Sequence, residues 1–114
     1  MSDESDLETV VGLLDDEYAR AILTATCEEP RSVSELSEEC ESSMTTIYRR
    51  VERLSDADLL TEGTRPRSDG HHDTVYAANL DRVEIRLRDG ELRFELDRRS
   101  ADMADQLTRL WGRF

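Results

Sequence analysis

Residues 43–54 read SMTTIYRRVERL. On a helical wheel Ile47, Val51 and Leu54 fall within about 60° of one another, with Met44 at their edge. Thr45, Thr46, Arg49 and Arg53 lie opposite, and Tyr48 and Arg50 flank them. One face is therefore apolar, while the other carries hydroxyls at its first turn and guanidinium groups along its length. Ser43 stands where an N-cap is needed. A single acid, Glu52, interrupts the run, in a chain whose formal charge is −12.

Working back from this helix, Glu41-Ser42-Ser43 is too short and polar for anything but a tight turn. Ser32-Val33-Ser34-Glu35 has the serine-to-glutamate spacing of a capping box and starts a short helix with Leu36 and Cys40 one turn apart on its inner face. Before Pro30, a longer helix runs through Tyr18, Ala21, Ile22 and Ala25 to about Cys27; Asp15 is its candidate cap, with Asp16 and Glu17 at its positive end. Residues 7–14, LETVVGLL, suggest a brief helix or an arm packed on the domain. A short helix, a three-residue turn and an arginine-faced second helix make a helix-turn-helix.

Downstream, residues 61–65 and 74–80 look extended around a polar, turn-rich loop at residues 66–73, a hairpin with a long tip. In a second hairpin Val83, Ile85 and Leu87 alternate with charged residues, Asp89-Gly90 makes the turn, and Leu92, Phe94 and Leu96 alternate on the return. A two-residue loop sets Leu87 opposite Leu92, Ile85 opposite Phe94 and Val83 opposite Leu96, so all six share a face that should cover something apolar. From about Ser100 a last helix carries Met103, Leu107, Leu110, Trp111 and Phe114 as one stripe, the expected interface of a two-fold homodimer, with residues 7–14 and the 83–96 ribbon as candidate additions to it.

Charge is distributed unevenly. Residues 1–41 sum to −11, residues 42–72 to zero and residues 73–114 to −1. The neutral window holds the arginine helix and the hairpin tip with Arg65, Arg67, His71 and His72. A major groove admits one helix, whose early side chains reach base edges and whose arginines reach bases or phosphates, so this pattern points to double-stranded DNA as partner. All 15 basic residues are arginine against 27 acids, which suits a protein hydrated and screened in high salt. Cys27 and Cys40 match no zinc spacing and are expected to be small buried residues, although Cys27, near a helix end, is also a candidate for an oxidation-sensitive link between two copies. His71 and His72 lack the geometry of a metal site. No apolar run is long enough to span a membrane, and the acidic N-terminus lacks signal-peptide order, so a cytoplasmic location is expected. Nothing here resembles a catalytic constellation, and no cofactor is expected. The competing function is a winged-helix module that binds protein instead of DNA.

The run RAILTATCEEPRSVSELSEECESSMTTIYRRVERLSDADLLTEG, followed by a polar-tipped hairpin, resembles the ArsR-like winged helix-turn-helix family. The ribbon VEIRLRDGELRFEL and the ending ADQLTRLW make it most similar to such regulators of halophilic archaea. The resemblance implies an α+β fold, mainly helical with β-hairpins: a winged helix-turn-helix domain over residues 1–80 (1–6 disordered), a hairpin extension over 81–97 and a dimerisation helix over 98–114. It implies a transcriptional regulator acting as a homodimer. Ser43, Met44, Thr45, Thr46, Tyr48, Arg49 and Arg50 match the DNA-contacting stretch, Arg53 continues its outer face, and Arg65, Arg67, His71 and His72 fall in the wing. The paired cysteines of the family's metal sensors are absent from this sequence.

Overall fold

The computed structural model describes residues 4–99. The expected C-terminal helix, with Met103, Leu107, Leu110, Trp111 and Phe114, lies outside the described residues. Four helices come first: α1 (Glu4–Asp15), α2 (Glu17–Glu28), α3 (Val33–Glu39) and α4 (Met44–Asp56). Two hairpins follow, β1 (Leu60–Pro66) with β2 (His72–Ala78) and β3 (Leu80–Arg88) with β4 (Glu91–Arg98). The result is an α+β fold consistent with a winged helix-turn-helix. Helix α1 starts at Glu4, within the stretch expected to be disordered.

One apolar cluster joins the helices to the first hairpin. Leu13 of α1, Ile22 of α2, Leu36 of α3 and Ile47 and Leu54 of α4 are completely buried, and Leu59, Leu60, Tyr76 and Ala78 close the cluster from the hairpin side. These are the positions that the 3.6-residue period selects. Thr26 is buried among them and loses no hydrogen bond, because its hydroxyl donates to the Ile22 carbonyl at 2.7 Å. The cap of α2 is not Asp15, which ends α1, but Asp16: its backbone is extended and its carboxylate accepts from the N–H groups of Tyr18 and Ala19. The break between the two helices thus falls one residue later than the sequence suggested.

The first hairpin is longer than expected. Its antiparallel register runs from Leu60 opposite Ala78 to Pro66 opposite His72, leaving residues 67–71 as the tip and His72 in the strand. The sequence reading also missed a bridge on the outer edge of β2. The Arg31 N–H donates to the Tyr76 carbonyl at 3.0 Å, and the Tyr76 N–H returns a bond to Arg31 at 2.8 Å. The α2–α3 connection is thereby pinned to the sheet.

The second hairpin has the expected register, with Val83 opposite Leu96, Ile85 opposite Phe94 and Leu87 opposite Leu92. Asp89 (φ 52°) and Gly90 (φ 76°) both take left-handed backbone, as a tight turn matching strand twist requires. The expectation that this ribbon covers an apolar surface holds only at its root. Leu80 and Leu96 pack against the core, whereas Ile85, Leu87 and Leu92 are 50, 74 and 60 % exposed. Arg98 fastens the root by donating to the Ala57 and Asp58 carbonyls. The described residues are elongated, extending 58 × 32 × 18 Å with a radius of gyration of 15.5 Å against roughly 12–13 Å for a compact chain of that length.

Candidate nucleic-acid interface

Helices α3 and α4 meet across a turn whose geometry is fixed by short side chains. Ser32 and Glu35 form the expected capping box: the Glu35 N–H donates to Ser32 Oγ at 3.2 Å, and the Ser32 N–H donates to Glu35 Oε1 at 2.9 Å. At the far end of α3 the Cys40 N–H donates to the Leu36 carbonyl, the Ser37 hydroxyl donates to the Ser42 carbonyl, and the Ser42 N–H donates to the Ser37 carbonyl. Glu41 takes a left-handed φ of 50°, an unusual conformation for a residue with a side chain, and this turns the backbone sharply into α4. Ser43 then caps α4 as expected, accepting from the Thr46 N–H at 3.1 Å while its hydroxyl and that of Thr46 lie 3.0 Å apart.

Helix α4 buries Ile47, Val51 and Leu54 and turns Met44, Thr45, Tyr48, Arg49 and Arg53 outward, with Met44 55 % and Tyr48 53 % exposed. Arg50 behaves differently. Its Nε lies 2.6 Å from Asp16 Oδ2 in a part-buried pair, and its guanidinium sits over the Tyr18 ring, 5.8 Å from the centroid. Burial of the Asp16 carboxyl opposes ionisation, but the Arg50 guanidinium and the N–H groups of Ala19 and Tyr18 outweigh it and hold the Asp16 pKa below the ordinary aspartate value. One carboxylate therefore caps α2 and clamps α4 to it. Sequence reasoning placed Arg50 only in the DNA-contacting stretch. It missed Asp16, whose signal was a cap position contested by its neighbour.

The wing, β1 and β2 with their tip, is tied down in the same way. Arg65 Nη2 meets Glu35 Oε1 at 2.9 Å and Asp73 Oδ2 at 3.3 Å, so the capping glutamate of α3 also anchors the wing. Partial burial raises the Glu35 pKa, but the Ser32 N–H and the Arg65 guanidinium more than reverse this, leaving it lowered. The hydrogen bond to Glu35 in turn raises the Arg65 pKa. Arg67 pairs with Asp69 at 2.9 Å and with Asp73 at 3.6 Å. His71 is exposed at the tip beside Asp69, and His72 is exposed at the start of β2. The wing's two arginines are thus balanced by acids, and the unpaired guanidiniums of the neutral window narrow to those on α4.

Among the described residues, the guanidinium groups of Arg49, Arg53 and Arg88 make no ion pair or hydrogen bond to protein. Two of these three lie on the outer face of α4, beside Thr45 and Tyr48. No group of three or more His, Cys, Asp or Glu side chains among the described residues is placed to hold a metal ion.

The two cysteines differ in setting. Cys40 is half-buried against the core, and desolvation, with Glu39 nearby, raises its pKa. Cys27, expected to be buried, is exposed at the end of α2, with the Arg99 Nη2 donor 2.8 Å from its Sγ. The buried face of α2 is made by Ala19, Ile22, Leu23 and Thr26, and Cys27 lies at the edge of that face in the last turn of the helix.

No helix of the described residues is long and apolar enough to cross a membrane. No curated protein matches the chain. Residues 14–63, from the end of α1 into the first strand of the wing, match the family model of a helix-turn-helix domain, and α3, the Cys40–Ser43 turn and α4 give that match its structural counterpart.

Proposed function

We propose that this chain is a sequence-specific DNA-binding transcriptional regulator of the ArsR-like winged-helix type. It acts as a homodimer, with α4 in the major groove and the β1–β2 wing against the backbone or minor groove. The observation that carries the reading is the pair of unengaged guanidiniums, Arg49 and Arg53, on an exposed helix face in a protein where most other arginines are held by an acid or a carbonyl. Exposed and without an acid partner among the described residues, these two stay available for phosphate or guanine. Thr45 and Tyr48 supply a methyl, a hydroxyl and a ring to base edges. In a dimer, two such helices enter successive major grooves about one helical turn apart. Repression by occluding polymerase is the simplest mode of action.

The acid-rich composition supports a high-salt setting for this chemistry. The test is fluorescence anisotropy of the protein against fragments of genomic DNA, its own promoter included, in molar potassium chloride. Saturable binding that Arg49→Ala and Arg53→Ala each weaken is the expected result. Binding to every fragment that neither substitution alters, or no binding by a folded dimer, refutes it.

A further inference from the structure

Between α1, the last turn of α4 and the return strand β4 lies a half-open cavity of about 640 Å³. That volume falls within the range of small-molecule sites, roughly 300–1,000 Å³. Its walls divide by chemistry. Val10, itself buried, and the half-buried Phe94 and Leu96 form an apolar side. The charged side includes Arg53, Asp56 and Glu95. Two further charged residues of the wall are already engaged: Asp97 accepts from Arg82 at 3.0 Å, and Arg98 donates to the Ala57 and Asp58 carbonyls. Glu95 is met by Arg82 only at 4.0 Å. The side chains of Arg53 and Asp56 make no ion pair or hydrogen bond among the described residues, although they stand three apart on one helix. Asp56 also closes α4, where the helix dipole disfavours an unpaired anion.

We propose that this cavity binds an apolar α-amino acid and that its occupation draws Arg53 away from DNA. A simple anion would meet Asp56 and Glu95 as well as Arg53, and a simple cation would meet Arg53; a zwitterion satisfies both signs. Side chains at i and i+3 of a helix are neighbours, with about 5–6 Å between Cβ atoms, so Arg53 and Asp56 can grip two charges borne on a single carbon. The guanidinium fork takes the carboxylate, and the Asp56 carboxylate, with Glu95 on β4, takes the ammonium. The amino acid's own side chain lies along Val10, Phe94 and Leu96, which favours an apolar one. Regulation follows from the double use of Arg53, which lines the cavity and also belongs to the outer face of α4. The coupling rests on the DNA-binding reading; the site itself does not.

The experiment is isothermal titration calorimetry of the full chain in molar potassium chloride with L-phenylalanine. Beside it run phenylacetate, which lacks the ammonium, phenethylamine, which lacks the carboxylate, and glycine, which lacks the apolar body. Of the four, L-phenylalanine alone is expected to bind saturably, with a Kd raised about tenfold or more in Asp56→Asn. Circular dichroism stays unchanged in that variant, because Asp56 is exposed. No saturable binding of L-phenylalanine or L-leucine overturns the proposal. Equal affinity in Asp56→Asn, or for phenylacetate or phenethylamine, overturns it as well. DNA anisotropy on the same samples tests the coupling: L-phenylalanine should weaken DNA binding about fivefold or more in the wild type and not in Asp56→Asn at the same concentration. A liganded protein that grips DNA as tightly as the free one overturns the coupling. A protein that binds the amino acid and ignores DNA keeps the site and loses the regulator.

Discussion

Replacing Asp16 by alanine should destabilise the protein more than any other change at an incompletely buried residue. Two separate losses combine. The Tyr18 and Ala19 N–H groups lose their acceptor, and removing an N-cap of this kind costs about 1 kcal/mol. Arg50 loses its carboxylate, and because the two side chains are only 25 and 18 % exposed, that pair is worth more than a typical surface contact, about 1 kcal/mol. The sum, about 2 kcal/mol, corresponds to a fall in Tm of roughly 8–16 °C for a domain of this size. Asp16→Asn keeps a good cap and removes the charge, so it should lose only about half as much. Thermal unfolding followed by circular dichroism checks both, with Asp15→Ala as the control, expected within about 0.5 kcal/mol of wild type. The reasoning fails if Asp15→Ala costs as much as Asp16→Ala, or if Asn and Ala at position 16 are equivalent. The pH dependence follows from the sign of the shift. The folded pKa of Asp16 lies below the unfolded one, so its contribution is complete above the unfolded value of about 3.9 and is lost as pH falls through the lower folded value.

Three further expectations concern the wing, the thiols and salt. Glu35→Ala removes the capping box and the Arg65 anchor together; since the Arg65–Glu35 pair is more than a third exposed, the stability loss should be about 1 kcal/mol, nearly all from the cap, while hydrogen exchange in residues 64–74 accelerates. Equal protection of the wing in wild type and variant would show that Glu35 does not anchor it. Peroxide treatment followed by a non-reducing gel should give a cross-linked dimer through exposed Cys27, lost in Cys27→Ser and retained in Cys40→Ser, because burial raises the Cys40 thiol and withholds its thiolate. Unchanged mobility on the gel would remove the redox link. DNA affinity should vary only shallowly with salt in the molar range, since counterion release, about −0.9 log units per phosphate for each log unit of salt, supplies little there; a steep negative slope would contradict the reliance on a few direct contacts.

Local pattern carried the fold a long way. The capping box at Ser32, the cap at Ser43, the buried stripe Ile47-Val51-Leu54 and the 83–96 register are all consequences of spacing within a few residues, where period and turn chemistry act directly. What spacing does not encode is which charge meets which. Counting charges along the chain gave a neutral window with arginines at positions 49, 50, 53, 65 and 67 and treated them alike. In the fold, Asp16 and Arg50 are 34 residues apart in sequence and Glu35 and Arg65 are 30 apart, yet each pair is in contact. Net neutrality over a window therefore concealed two classes of arginine. One class is used by acids from outside the segment to fix α4 on α2 and the wing on α3, and the other is left unengaged on α4. The same distinction explains why the ribbon was half legible. Alternation establishes that six apolar residues share a face, but whether that face meets the chain's own core depends on where the root is fastened. Arg98 holds the root on the Ala57 and Asp58 carbonyls, and Ile85, Leu87 and Leu92 beyond it stay exposed. In both places the sequence specifies a surface locally, and long-range fastening by a single side chain decides whether that surface is used inside the molecule or offered outside it.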